Sequence, residues 1–360
     1  AAMNSHPVHA VYFGGGTPTA LEPEDLKTVL TAVNRYLPLA NDCEITIEGR
    51  IHNFGDDKIE AALEGGANRF SLGVQTFDDR VRQSVMRVDG RDAILSRLDK
   101  LISYDEAAVV IDLIYGFPWQ TMAVWEDDIR TAQSLKLDGV DCYQLNVFEK
   151  SPLAKYIANG KLPPAADTAM KADMFALSVE RFTNAQWRRL SNNHWGQTMR
   201  ERNIYNALGK GACLAFGCGA GGRLQGNSFM MERRLAEWEK VLEGGEKPVG
   251  MLMKPGKHWH LMRTLSSEME SGRINLAHIE KQFGVPVRAL TEDVIAQWID
   301  AGLLHRVDDW LVQTIAGQYW HVTLAQLLIG LVGMRLGAGA VNERPAGNAA
   351  VFSGEKPAHG

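Results

Sequence analysis

The residues most able to do chemistry are four polar intrusions at the ends of apolar runs. Glu48 closes Ile45-Thr46-Ile47, Gln75 closes Phe70-Ser71-Leu72-Gly73-Val74, and Asp112 sits between Val109-Val110-Ile111 and Leu113-Ile114-Tyr115. The fourth is Gly14-Gly15-Gly16-Thr17-Pro18, directly after Val11-Tyr12-Phe13. Glycines let backbone N–H and C=O groups approach a ligand closely, and two carboxylates with an amide supply polar partners for it. The glycine run is not a phosphate loop, because no Gly-Lys-Ser/Thr follows it. Gly217-Cys218-Gly219-Ala220-Gly221 has no βαβ context and reads as a tight turn. Each intrusion alone fits a satisfied core polar group or turn equally well; four together point to a ligand site.

A second constellation lies between 186 and 202, where Arg188, Arg189, Arg200 and Arg202 face the single acid Glu201. Guanidinium groups pair bidentately with carboxylates, so such a cluster suits a ligand bearing acid groups. His194 beside Trp195 offers a metal ligand or proton donor next to a stacking surface, although a lone His is more often a satisfied structural residue. The four cysteines, Cys43, Cys142, Cys213 and Cys218, are spaced as small hydrophobes or turn residues, and Cys213-x4-Cys218 supplies two ligands where cluster sites need more. No metal ligand is assigned within the chain.

These residues need a scaffold that brings strand ends together. Short apolar runs at 8–13, 43–48, 69–75, 109–115 and 141–148 alternate with helical segments at 24–36, 58–63, 91–102 and 124–135. Five such units predict an α/β fold, a barrel or open parallel sheet, with ligand sites at the strand C-termini. After 149 the rhythm breaks. Leu162-Pro163-Pro164 leads to a long helix at 168–182, 245–256 reads as a linker, and 260–320 is mainly helical with helices at 274–283 and 288–301, resembling a small winged-helix unit. The domains expected are thus 1–150, 151–244 and 245–325, with a disordered tail over 342–360.

Composition excludes several classes. The 360 residues are 45% hydrophobic and 22% charged, which is ordinary globular usage. A net charge of −5 gives no global positive field for nucleic acid, and in the winged-helix-like unit Lys281 and Arg288 are outnumbered by Glu280, Glu292, Asp293 and Asp300. The most apolar stretch, 324–340, is interrupted by Gln326 and Arg335 and falls short of the roughly 20 residues a bilayer requires, so no membrane span is expected. The N-terminus lacks the pattern of a signal peptide and the cysteines are too few for a secreted disulfide framework, so the expected location is cytoplasmic.

Tyr12-Phe13-Gly14-Gly15-Gly16-Thr17-Pro18-Thr19, Ile47-Glu48-Gly49-Arg50, Ser71-Leu72-Gly73-Val74-Gln75-Thr76-Phe77 and Ile111-Asp112-Leu113-Ile114-Tyr115-Gly116-Phe117-Pro118-Trp119-Gln120-Thr121 occur in that order. Together they resemble the oxygen-independent coproporphyrinogen oxidase family of radical S-adenosylmethionine (SAM) enzymes, over nearly the whole chain. Trp187-Arg188-Arg189-Leu190-Ser191-Asn192-Asn193-His194-Trp195, followed by Arg200-Glu201-Arg202-Asn203-Ile204-Tyr205-Asn206, is similar to the anaerobic heme-utilisation branch. The resemblance implies a partial (β/α) barrel lacking its first strand, and a C-terminal domain of the family's kind. It implies SAM as cofactor, with Gly14, Gly15, Gly16 and Thr17 holding the methionyl amino group, Arg87 its carboxylate, Asp112 its ribose, and Glu48 and Gln75 further contacts. A sulfonium zwitterion calls for carboxylates and a guanidinium together.

The family's CxxxCxxC motif, which holds a [4Fe–4S] cluster, belongs ahead of this chain's first residues. An N-terminal truncation is the expectation, and with it inactivity of the fragment. The implied function is a heme methyltransferase that opens the ring and releases iron, with Arg188, Arg189, Arg200 and Arg202 on the propionates, His194 and Trp195 on the ring, and a low-potential, flavodoxin-like electron donor. Met251, Met253, His258, His260 and Met262 are further candidates for a heme pocket. Oxygen-independent coproporphyrinogen III dehydrogenation and a non-catalytic heme chaperone are the alternatives.

Overall fold

The computed structural model describes residues 6–208 and 211–337; the 342–360 tail lies outside the described residues. Five parallel strands, β1 (Val8–Phe13), β2 (Leu39–Gly49), β3 (Arg69–Gln75), β4 (Ala108–Tyr115) and β5 (Gly139–Gln144), stand side by side in chain order. The crossovers are helices: α1 (Pro23–Tyr36), α2 (Asp56–Glu64), α3 (Asp79–Ser84) with α4 (Arg91–Ser103), and α5 (Met122–Ser134). After α6 (Pro152–Ala158) and α7 (Thr168–Asn184), the short strands β6 (Arg188–Arg189) and β7 (His194–Gly196) extend the sheet antiparallel, giving the order β1-β2-β3-β4-β5-β7-β6. The result is a curled half-barrel.

Local chemistry sets the helix starts. α1 opens with Pro23 and carries Glu24 and Asp25 in its first turn, which suits the fixed φ of proline and the positive end of the helix dipole. Asp78, Thr121 and Asp167 cap α3, α5 and α7 by accepting from the N–H groups of Val81, Val124 and Met170. On the outer face Ile45, Ile47, Phe70, Leu72, Ile111, Leu113 and Val140 pack against Leu26, Leu30, Ile94, Leu98 and Ile129 in one buried core. Trp125 is fully buried there, its indole N–H donating to the Met174 carbonyl at 2.8 Å.

Two expectations are corrected. The strand expected over 141–148 is β5, which stops at Gln144: β4 ends at Tyr115 opposite it, so no ladder remains for 146–148. The linker expected over 245–256 holds strand β10 (Val249–Met253), paired antiparallel to β9 (Asn227–Met231), which pairs with β8 (Gly221–Leu224). Its flanking Gly and Pro residues masked a short apolar run. The expected turn at 217–221 is a turn, with Gly219 at φ 71°.

Farther on, α8 (Trp259–Glu270), α9 (Leu276–Phe283) and α10 (Val287–Asp300) pack with a three-stranded antiparallel sheet and a last helix, His321–Arg335, around a second core that includes Leu265, Ile279, Ile295, Leu304 and Leu328. Among the described residues no helix is long and apolar enough to cross a membrane. Met262 packs against this core, whereas Met251 and Met253 are exposed on the edge strand β10.

Candidate functional site

The strands do not run apolar on both faces; they alternate. Residues whose neighbours face the helices point instead into the concave side of the half-barrel, and these are polar: Tyr12, Glu44, Thr46, Glu48, Arg69, Ser71, Asp112, Asp141 and His194. Glu44, Thr46, Arg69, Ser71, Asp141 and His194 are all buried. A buried charge is tolerated only when paired, and the pairing is explicit. Arg69 donates through Nε to Glu201 Oε2 at 2.9 Å and through Nη2 to Oε1 at 3.2 Å. His194 lies between Asp141 (Nδ1 to Oδ2, 2.8 Å) and Glu201 (Nε2 to Oε1, 3.3 Å).

This network sets the charge states. Burial alone would lower His194, but the Asp141 carboxylate and then Glu201 outweigh it and raise the imidazole to about 9. Burial opposes ionisation of Glu201, yet His194 and Arg69 hold its carboxyl below the ordinary value. Asp112 has no such partner. Burial, then repulsion from Asp141 and Glu48, pushes it up to about 7. Burial followed by the charges of Glu48 and Asp112 likewise pushes the Tyr12 phenol upward.

At the strand C-termini the structure gathers Gly14, Gly15, Gly16, Thr17, Glu48, Gln75, Arg87 and Asp112. The Gly15 N–H donates to Glu48 Oε2 at 3.3 Å. A Cβ on Gly14 would sit 2.6 Å from that same oxygen and 2.9 Å from Tyr12, so a side chain there would push the carboxylate or the phenol ring aside. Thr17 adopts φ 72° as the chain turns off β1. The β3–β4 ladder slips between Gly73 and Gln75, and Gln75 takes φ 75°; such bulges re-aim side chains at sites. Its Oε1 is buried with no hydrogen-bond partner among the described residues. Gln75 and Arg87 line a cavity of about 330 Å³ with Ile114, Phe117, Leu153 and Tyr156.

The loops that carry these groups are cross-tied from below. Asp128 on α5 accepts from the Phe77 N–H at 2.7 Å, Thr76 Oγ1 at 2.8 Å and Gln120 Nε2 at 3.3 Å. Gln120 Oε1 in turn accepts from the Gly116 N–H at 2.7 Å. The turns after β3 and β4 are thereby held together, although burial pushes the Asp128 carboxyl up to about 7.

The second expected constellation is not brought to this end. Arg200 hydrogen-bonds Asp105 and the Ala107 carbonyl, just ahead of β4, and Arg202 reaches Asp42 Oδ2 at 3.0 Å near the start of β2. Both therefore sit at the strand N-termini. Arg188 Nη2 donates to the Thr198 and Glu201 carbonyls at 2.7 and 2.9 Å, and Arg189 donates to Gln318 Oε1 and to the Ser191 and Asn192 carbonyls. Their donors are spent on holding the segment 186–206 in place. His194 and Trp195 are both 0% exposed, with Trp195 stacked on Phe182 at 4.9 Å. Neither presents a face to a large planar ligand, so the placement corrects their expected role on a ring.

Sequence reasoning missed Arg69, Glu44, Tyr12, Asp141 and Asp128. The alternation 44, 46, 48 and 69, 71, 73 was available as a signal for all the lumen residues on β2 and β3; nothing local marks Glu201, which lies 132 positions from Arg69.

Residues 1–132 match the radical SAM superfamily. The chain is 40% identical over 344 residues to anaerobilin synthase of Escherichia coli O157:H7, covering 95% of this chain and 76% of that protein. Heme chaperone HemW of Bacillus subtilis (strain 168) is 25% identical over 319 residues, covering 86% and 82%. Among solved structures, coproporphyrinogen III oxidase (HemN) from Escherichia coli superposes with a TM-score of 0.75 at 18% identity, covering 90% of this chain and 77% of that one, a likeness of fold alone.

Proposed function

The chain belongs to the radical SAM superfamily, and from that premise we propose that it is a heme-acting member that methylates the ring, opens it and releases iron without oxygen. The observation that carries this is the 40% identity to anaerobilin synthase along 95% of the chain. Enzymes of the superfamily use SAM and a [4Fe–4S] cluster.

The residues fit the first of these groups. Exposed backbone at Gly14–Gly16, Glu48, the orphaned Gln75 Oε1, Arg87 and Asp112 surround one end of a lumen rich in carboxylates, a suitable environment for a sulfonium and an ammonium. In our proposal Gly14, Gly15, Gly16 and Thr17 hold the amino group, Arg87 the carboxylate and Asp112 the ribose hydroxyls. When bound, SAM supplies the methyl group and the carbon radical of the chemistry. The residues do not fit the cluster: Cys43 and Cys142 are buried, Cys213 and Cys218 lie elsewhere, and among the described residues no three ligands meet. No step is therefore assigned to a cluster, and the 360 residues by themselves are proposed to bind without turnover. A low-potential electron donor and a cytoplasmic setting complete the proposal.

The test has two arms. The protein titrated with heme and, separately, with coproporphyrinogen under argon should prefer heme. A fusion that supplies a CxxxCxxC segment ahead of Ala1, given heme, reductant and methyl-labelled SAM, should then yield a labelled linear tetrapyrrole and free iron. Decarboxylated porphyrin without label would indicate coproporphyrinogen chemistry. Heme returned unchanged, and passed to an apoprotein, would indicate a chaperone. Either outcome refutes the proposal.

A further inference from the structure

Beside the strand ends, a small cavity of about 90 Å³ lies between the turn Ile51–Asn53 and the loop 85–90. Its wall contains three guanidinium groups, those of Arg50, Arg82 and Arg87, and one carboxylate, that of Asp89. Two of these four groups are already committed. Arg82 donates to the carbonyls of Val74 at 2.7 Å, Thr76 at 2.9 Å and Asp89 at 2.6 Å, which fastens the loop to the end of β3. The Asp89 carboxylate takes His52 Nδ1 at 3.1 Å.

Arg50 and Arg87 differ from the other two. Among the described residues neither guanidinium makes a hydrogen bond or an ion pair, although Arg87 is half-buried. Burial, followed by repulsion from Arg50, weakens the hold of Arg87 on its proton. Asp112 and Asp89 attract Arg87 without hydrogen-bonding it, so the two like charges have no acceptor between them, an arrangement that a bound anion relieves. Arg87 also lines the larger cavity that contains Gln75, so it joins the small cavity to the ligand end of the lumen.

We infer that Arg50 and Arg87 form a two-guanidinium clamp for one carboxylate, and that this is the α-carboxylate of SAM, with Arg50 supplied by the turn after β2. The inference rests on the cofactor placement proposed above and adds a residue to it. A fork of planar N–H donors from two sides fixes the carboxylate in direction as well as position. The ammonium beside it is left toward Glu48 and the Gly14–Gly16 backbone.

The test measures binding, by calorimetry under argon, of SAM, of decarboxylated SAM and of heme to the 360-residue protein and to R50M. Arg50 is exposed, so an unchanged melting temperature is expected for the variant. The wild type should bind SAM at least tenfold more tightly than the decarboxylated analogue. In R50M the dissociation constant for SAM should rise about tenfold, the equivalent of 1.4 kcal/mol, while the analogue binds as before. R50K should recover only part of the loss, because an ammonium cannot present the fork.

Unchanged SAM affinity in R50M overturns the clamp, as does an equal loss for SAM and its analogue. Loss of heme affinity alone would assign the anion to a propionate and overturn the choice of carboxylate. A wild type that binds no SAM refutes the cofactor placement itself; a wild type that binds it and an R50M that is indifferent refute the clamp only.

Discussion

Replacing His194 with Gln tests whether an imidazolium is what holds the lumen together. His194 is 0% exposed and lies 2.8 Å from Asp141, so a charge there has no water to fall back on. Its protonation, raised from 6.5 to about 9 in the fold, contributes a stabilisation on the order of 3 kcal/mol. The contribution is complete below pH 6.5, where folded and unfolded chains both carry the proton. It declines as the pH climbs from 6.5 toward 9 and is gone above that. Urea unfolding at pH 6 and pH 9.5 should therefore show the wild type losing more stability than H194Q, by up to about 3 kcal/mol. That figure is a ceiling, since the Asp112 carboxyl loses the help of the same imidazolium in the variant and rises further. Equal losses in the two proteins would show that His194 is neutral in the fold and refute the charged network.

R69M leaves Glu201 buried without its bidentate partner and should cost about 3–5 kcal/mol in the same unfolding measurement; a cost under about 1 kcal/mol would mean that Glu201 finds another donor. D112N should weaken SAM binding by about 1.5–3 kcal/mol. Because Asp112 titrates near 7 and hydroxyl donors need the carboxylate, wild-type affinity should fall as the pH drops below 7 while that of D112N stays level, and parallel profiles would remove Asp112 from the site. G14A places a methyl 2.6 Å from Glu48 Oε2 and should displace that carboxylate, lowering SAM affinity at least tenfold with little change in melting temperature; unaltered affinity would clear Glu48 of any role.

The half-barrel and its strand ends were legible because apolar runs and helical segments alternate in the first 150 positions, and because Glu48, Gln75 and Asp112 interrupt those runs near their ends. The lumen was not. A strand in an open parallel sheet is buried on both faces and reads as continuously apolar, whereas here one face meets helices and the other a charged interior, so Glu44, Thr46 and Glu48 belong to one stripe. Arg69 and Asp141 fall at strand edges in the sequence and look like turn residues, and their partners Glu201 and His194 come from the segment after β7 and from β7 itself. That segment differs from expectation for the same reason: four arginines within fifteen positions suggest a site for a ligand bearing acid groups, but Arg188, Arg189, Arg200 and Arg202 find oxygens of the chain itself. Long-range pairing has no local signature.

The lumen's balance of charge bears on what can enter it. Glu44, Glu48, Asp112, Asp141 and Glu201 act on the same cluster as Arg69 and His194, and five acids against two cations leave three negative charges, or two when Asp112 keeps its proton. Two committed pairs cannot neutralise the rest, because Arg69 is bound to Glu201 and His194 is shared between Glu201 and Asp141. Two of the three uncompensated acids, Glu48 and Asp112, lie toward the open end. A sulfonium and an ammonium arriving there lower the repulsion that lifts the Asp112 carboxyl, so binding and ionisation of Asp112 favour each other. The propionates of a porphyrin would meet a charge of their own sign there and be turned away from the interior. On the proposed function they would be held at the rim, where Arg50 and Arg87 are the guanidinium groups without partners among the lining residues of that end. If the proposed clamp takes the cofactor carboxylate, substrate acids would compete for the same pair of arginines, and a clamp filled by the cofactor first would leave the substrate to be held by its ring.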